Sequence, residues 1–166
     1  MAATFVGRAR DMVDLDTELA ATRKGTGRFV SMRGRRQVGK SRLLQEWADR
    51  TGIGYVFFTA KQGTRAEELA AFATDLARSD LSVAPEIAAG LRFDSWEAAL
   101  TVVAGRATPE RPAVIILDEF PYLAATDSSI EAELQKVWSR ALEHKPVLLV
   151  LVGNLIWLAE RRPARC

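Results

Sequence analysis

Phe29-Val30-Ser31-Met32-Arg33-Gly34-Arg35-Arg36-Gln37-Val38-Gly39-Lys40-Ser41 is the stretch on which the fold turns. Phe29 to Met32 is a short apolar run that reads as a strand. From Ser41 to Arg50 apolar residues recur at helical spacing, through Leu43, Leu44 and Trp47. Between them, Gly34 to Ser41 fits G-x-x-x-x-G-K-[ST] without a mismatch. Each fixed position answers a physical need. Gly34 and Gly39 let the backbone curl and approach an anion with no side chain in the way. The N–H groups of Arg35, Arg36, Gln37, Val38 and their neighbours then converge on phosphate oxygens, and the following helix adds its positive N-terminal end. Lys40 would reach the β- and γ-phosphates, and the Ser41 hydroxyl would ligate Mg²⁺. The strand before the loop and the helix after it separate this pattern from a chance glycine-rich turn.

Outward from this loop, two kinds of segment alternate. Helical spacing recurs at Met12, Leu15 and Leu19, at Leu69, Phe72, Ala73 and Leu76, at Trp96, Leu100 and Val103, and at Leu134, Val137, Trp138 and Ala141. Thr64 with Glu67, and Asp94 with Glu97, have capping-box spacing and mark two helix starts. The other kind is short and continuously apolar: Tyr55–Phe58, Ala113–Leu117 and Val147–Val152. Strands without polar alternation are covered on both faces, as in a parallel sheet flanked by helices. The expectation is an α/β fold of doubly wound type.

Ala113 to Leu117 ends in Asp118-Glu119. In an open parallel sheet, ligands sit beyond the carboxyl ends of the strands, so Asp118 is expected to face the phosphate loop and hold Mg²⁺ through a water. Glu119 beside it is placed to orient or deprotonate an attacking water, which favours hydrolysis over phosphoryl transfer to a second substrate.

Composition narrows the class. A chain of 166 residues with 48% hydrophobic and 27% charged residues is long enough for one substantial core and is not a disordered composition. Its net charge of +2 neither requires nor excludes nucleic acid, although Arg33, Arg35, Arg36 and Arg42 crowd the loop. The one cysteine, Cys166, permits no internal disulfide and fits a cytoplasmic location. The most apolar stretch, Pro146 to Leu158, is interrupted by Gly153-Asn154 and falls short of the roughly 20 apolar residues a membrane helix needs, so no membrane partner is expected. His144, the single histidine, is read as a cap for helix carbonyls, and Trp47, Trp96 and Trp138 as core.

Phe5-Val6-Gly7-Arg8, the loop Gly34–Ser41 and Leu117-Asp118-Glu119-Phe120-Pro121-Tyr122-Leu123 occur in that order. Together they resemble the archaeal-type ATPase family, relatives of the AAA+ and STAND groups of P-loop NTPases. The resemblance covers the chain to about Gly153 and implies an ATPase core over residues 1–153, with 154–166 a divergent tail. It also implies a sheet in the order 1-4-3-2, a preference for adenine, and Phe5–Arg8 near that base. Val147–Val152 would be the sensor strand, and Asn154 the polar residue touching the γ-phosphate or the attacking water. The family pattern continues with a fifth strand, a helical lid and a further domain, whereas here Arg161-Arg162-Pro163-Ala164-Arg165-Cys166 departs from it, as a truncation or a shifted reading frame would. The phosphate-loop strand would then form an open edge, available to a protein partner or to self-association.

The function expected from these residues is Mg²⁺-dependent ATP binding with slow hydrolysis to ADP and phosphate. Lys40 and Glu119 are the catalytic candidates, Ser41 and Asp118 the metal ligands. The alternatives are a nucleotide-binding switch or inactive ATP-binding fragment without turnover, and, more remotely, a phosphotransferase.

Overall fold

The computed structural model describes residues 9–33, 39–81 and 90–153. Four strands, β1 (Arg28–Met32), β2 (Tyr55–Thr59), β3 (Ala113–Asp118) and β4 (Val147–Val152), form one parallel sheet in the order β1-β4-β3-β2. Both the all-parallel pairing and the 1-4-3-2 order agree with the sequence reading. The helices are α1 (Ala9–Thr22), α2 (Lys40–Thr51), α3 (Arg65–Arg78), α4 (Trp96–Ala104), α5 (Phe120–Thr126) and α6 (Ile130–Arg140), with a 3₁₀ turn at Leu142–His144.

The central strands show why the sequence lacks polar alternation. Every residue of β3 and β4 is buried. Successive side chains of a strand point to opposite faces, and the two faces have separate cores. Val114, Ile116, Leu148, Val150 and Val152 pack with Leu15 and Leu19 of α1 and with Leu44, Trp47 and Ala48 of α2. Ala113, Ile115, Leu117, Val147, Leu149 and Leu151 face the other way, onto α3, α4, α5 and α6. Fully burying an aliphatic side chain stabilises the fold by about 1.5–3 kcal/mol, so β3 and β4 hold the two layers together. Phe58, Phe72 and Trp96 meet edge-on or tilted at 5.4–5.7 Å within the second core.

Local signals act where the sequence placed them, with two corrections. At α3, Thr64 and Glu67 form a reciprocal capping box. At α4 the cap is Ser95, one residue after Asp94: its hydroxyl accepts from the Ala98 N–H at 3.0 Å, while Glu97 turns outward to Lys136 at 2.5 Å. Asp94–Glu97 is therefore not a capping box, because α4 begins at Trp96 and Ala98 occupies the third helical position. His144 is exposed in the 3₁₀ turn, and its imidazole bonds no carbonyl among the described residues. Trp47 and Trp96 are fully buried, whereas Trp138 is half-buried, edge-on to Phe29 at 6.0 Å.

Candidate functional site

The carboxyl ends of the strands gather the described motif residues at one edge of the sheet. Gly39 is the N-cap of α2 at φ 74°, ψ 22°, the left-handed region in which glycine avoids the β-carbon clash. As a glycine, Gly39 supplies no side-chain cap, and the first turn of α2 carries no acidic residue. A helix N-terminus carries partial positive charge, which suits an anion such as phosphate. Lys40 and Ser41 open the helix here. Gly34, Arg35, Arg36, Gln37 and Val38 lie outside the described residues, as do Phe5–Arg8 and Asn154.

Ser41 and Asp118 meet directly. The Ser41 hydroxyl donates to Asp118 Oδ2 at 2.6 Å across 77 residues of sequence. Asp118, 4% exposed, sits on the last residue of β3, and its Oδ1 accepts the Glu119 N–H at 2.9 Å. Both carboxylate oxygens are therefore oriented, one toward the phosphate-loop serine and one by the backbone N–H of Glu119.

Glu119 has φ 53° and ψ 37°. A left-handed glutamate is uncommon and costs about 1–2 kcal/mol relative to right-handed backbone. The conformation turns the chain sharply from β3 into α5, with Pro121 in the first helical turn. Neither this short helix nor the strained turn shows in the apolar period of the sequence; a proline directly after an acidic strand end is the available signal.

Two further residues shape this edge and were not singled out from sequence. Gly153, just past β4, has φ 145°, donates its N–H to Met32 O at 3.1 Å, and lies so close to Pro121 that a β-carbon there would overlap the proline ring. One glycine thus ties the ends of β1 and β4 to the start of α5. Glu68 on α3 is 3% exposed, and its Oε1 accepts the Lys61 and Gly63 N–H groups at 2.9 and 2.7 Å. That pins the turn after β2, which is also joined to the acidic strand by Ala60 N–H to Asp118 O at 3.1 Å. A glutamate in a first helical turn reads as solvated from sequence, and only the packing reveals it.

The donor set suits a hard divalent cation. Magnesium is held by one or two protein oxygens together with waters and substrate phosphates, and the Ser41 hydroxyl and Asp118 carboxylate already lie within one hydrogen bond of each other. Among the described residues there is no cluster of three or more His, Cys, Asp or Glu side chains suited to a metal, and this pair does not require one.

No protein-family model matches the sequence, and no curated protein does either. Solved structures do share its architecture. A chain in the structure of Drosophila ORC bound to DNA has a TM-score of 0.69 at 15% identity, over 95% of this chain and 40% of that one. A Walker-type ATPase of Pyrococcus abyssi has a TM-score of 0.59 at 18% identity, over 89% and 45%. Cdc6p of Pyrobaculum aerophilum has a TM-score of 0.50 at 16% identity, over 96% and 42%. The fold is that of a P-loop NTPase. The chain spans between 40% and 45% of the length of these structures. Among the described residues, no helix is long and apolar enough to cross a membrane.

Proposed function

We propose that this chain binds ATP with Mg²⁺ and hydrolyses it slowly to ADP and phosphate, as an ATPase core of the AAA+/archaeal type spanning residues 1–153. The observation that carries the reading is the 2.6 Å bond from Ser41 to Asp118. It joins the phosphate-loop motif to the acidic strand end, the two places from which a P-loop site draws its metal ligands. The kinds of protein named among the structural neighbours support ATP as the nucleotide.

Each residue has a chemical task. Amides of the loop Gly34–Ser41 and the Lys40 ammonium stabilise charge on the phosphate oxygens, and Ser41 and Asp118 hold the metal. Mg²⁺, when bound, supplies charge neutralisation on the phosphate oxygens. Glu119 accepts a proton from the attacking water, whose oxygen bonds to the γ-phosphorus as the bond to the ADP oxygen breaks. The family resemblance implies that Asn154 lies near the γ-phosphate. The neighbour seen bound to DNA makes nucleic acid one class of partner to test.

A second reading is a nucleotide-dependent switch with negligible turnover, which the same phosphate-loop and acidic residues would also serve. Calorimetric titration of Mg-ATP with Lys40→Ala as control, followed by single-turnover phosphate release from wild type and Glu119→Gln, separates the two. The ATPase reading expects saturable binding lost in Lys40→Ala, and release that Glu119→Gln reduces by about 10²-fold or more while binding persists. Equal release from both proteins removes the role of Glu119; binding without release in wild type establishes the switch.

A further inference from the structure

At the end of the sheet opposite Gly39 and Asp118, the approaches to the strands leave a cleft of about 490 Å³. Gly52–Gly54 before β2 and Pro112 before β3 form its walls. Three arginines line it: Arg23 from the turn between α1 and β1, and Arg106 and Arg111 from the segment between α4 and β3. Asp80 and Glu110 line it too. Arg28, Arg42, Arg50, Arg65 and Arg140 all pair with carboxylates. Arg23, Arg106 and Arg111 form no side-chain hydrogen bond or ion pair among the described residues, although two carboxylates share their cleft.

Part of this arrangement is pre-organised. Thr108 and Arg111 exchange backbone hydrogen bonds at 3.0 Å in both directions, and the Thr108 hydroxyl accepts the Arg111 N–H at 3.1 Å. The Arg106 N–H is held by Val103 O at 3.0 Å. Both arginines thus stand on ordered backbone while their side chains pair with none of the described residues.

We propose that this cleft is a second ligand site, separate from the nucleotide site, for a small phosphorylated molecule bearing hydroxyl groups, of the sugar-phosphate class. A guanidinium fork matches two phosphate oxygens, and three such groups outnumber the two carboxylates. Asp80 and Glu110 are acceptors for hydroxyls. A ligand with both kinds of group uses the whole lining, whereas a bare anion meets only partial net positive charge. The volume falls within the roughly 300–1,000 Å³ of small-molecule sites, and the carboxylates would repel a continuous nucleic-acid backbone. Across β3 the two sites are about 17 Å apart, at about 3.3 Å per residue, so one small molecule does not fill both.

The test is titration of ribose 5-phosphate into the Lys40→Ala chain, which lacks the phosphate-loop lysine, followed by ¹H–¹⁵N NMR. Saturable shifts are expected at the amides of Gly52, Gly54, Arg106 and Arg111. Arg106→Gln with Arg111→Gln should weaken binding about tenfold or more, as loss of charge-assisted hydrogen bonds implies. Arg23→Gln, on a separate turn, should also weaken it and serves if the double variant loses its dispersed spectrum. The proposal is overturned if these amides do not shift, if sulfate at equal ionic strength shifts them equally, or if the folded arginine variants bind as tightly as the parent.

Discussion

Glu119 combines the candidate general base with a left-handed backbone at φ 53°. Glycine tolerates that conformation freely, so Glu119→Gly removes about 1–2 kcal/mol of strain against about 0.5–1 kcal/mol of added chain entropy in the unfolded state. The variant is expected to be as stable as wild type or up to about 1.5 kcal/mol more so in urea unfolding, while phosphate release is lost. A clear loss of stability would mean that the glutamate side chain holds the turn. Gly153 is the opposite case. Its φ of 145° and its contact with Pro121 leave no room for a methyl group. Gly153→Ala should cost about 2–4 kcal/mol, combining overpacking and backbone strain, and a midpoint near that of wild type would show that α5 moves aside easily.

At the scale of elements, Arg65 fastens the second helical layer. Its guanidinium donates to Asp127 and Glu133, both at 2.5 Å, and to the Ser129 hydroxyl at 3.0 Å. Glu133 in turn accepts the Trp96 N–H at 2.9 Å, at the start of α4, so α3, α4, α5 and α6 converge on one charge network. Burial pushes the Asp127 carboxyl up, but the Ser129 hydrogen bond and the Arg65 charge outweigh it and hold the group below the usual carboxylate range. A depressed folded value contributes stability above the unfolded pKa of about 3.9, and that contribution disappears as pH falls through the folded value. Arg65 keeps 32% of its side chain in solvent, while Asp127 keeps 8%. Screening therefore reduces the full buried-pair cost, and Arg65→Ala is expected to lose about 1–3 kcal/mol at pH 7. Denaturation measured from pH 7 down to about pH 2 should show the gap between wild type and variant closing below about pH 4. A gap independent of pH would assign the loss to packing of the arginine stem.

Over the whole molecule, the last described strand is an inner one. β4 pairs with β1 on one side and β3 on the other, so residues 147–152 join the phosphate-loop strand to the acidic strand. A chain ending at His144 keeps both motifs but lacks the strand that brings them together. It is expected to show no cooperative unfolding transition and no Mg-ATP binding, by circular dichroism and calorimetry. Cooperative unfolding of that fragment would mean that β1 can reach β3 without β4. Among the described residues β1 pairs only with β4.

Local and periodic features were legible in the amino-acid order alone. The unbroken apolar runs marked β3 and β4 as doubly covered, the helical repeats placed α2, α3 and α4, and G-x-x-x-x-G-K-S with Asp118-Glu119 proposed a candidate site, because each depends on residues close together in the chain. The 1-4-3-2 order came from a family resemblance and now rests on strand pairing. What only the tertiary structure decided depends on distant contacts or on backbone angles. Ser41 meets Asp118 because two strand ends and a helix N-terminus share one edge. Glu68 is buried because a turn from β2 lies over it. Gly153 cannot carry a side chain because Pro121 occupies the space. Ser95 rather than Asp94 caps α4 because the helix starts at Trp96, and a one-residue shift changes every cap position while leaving the apolar period intact.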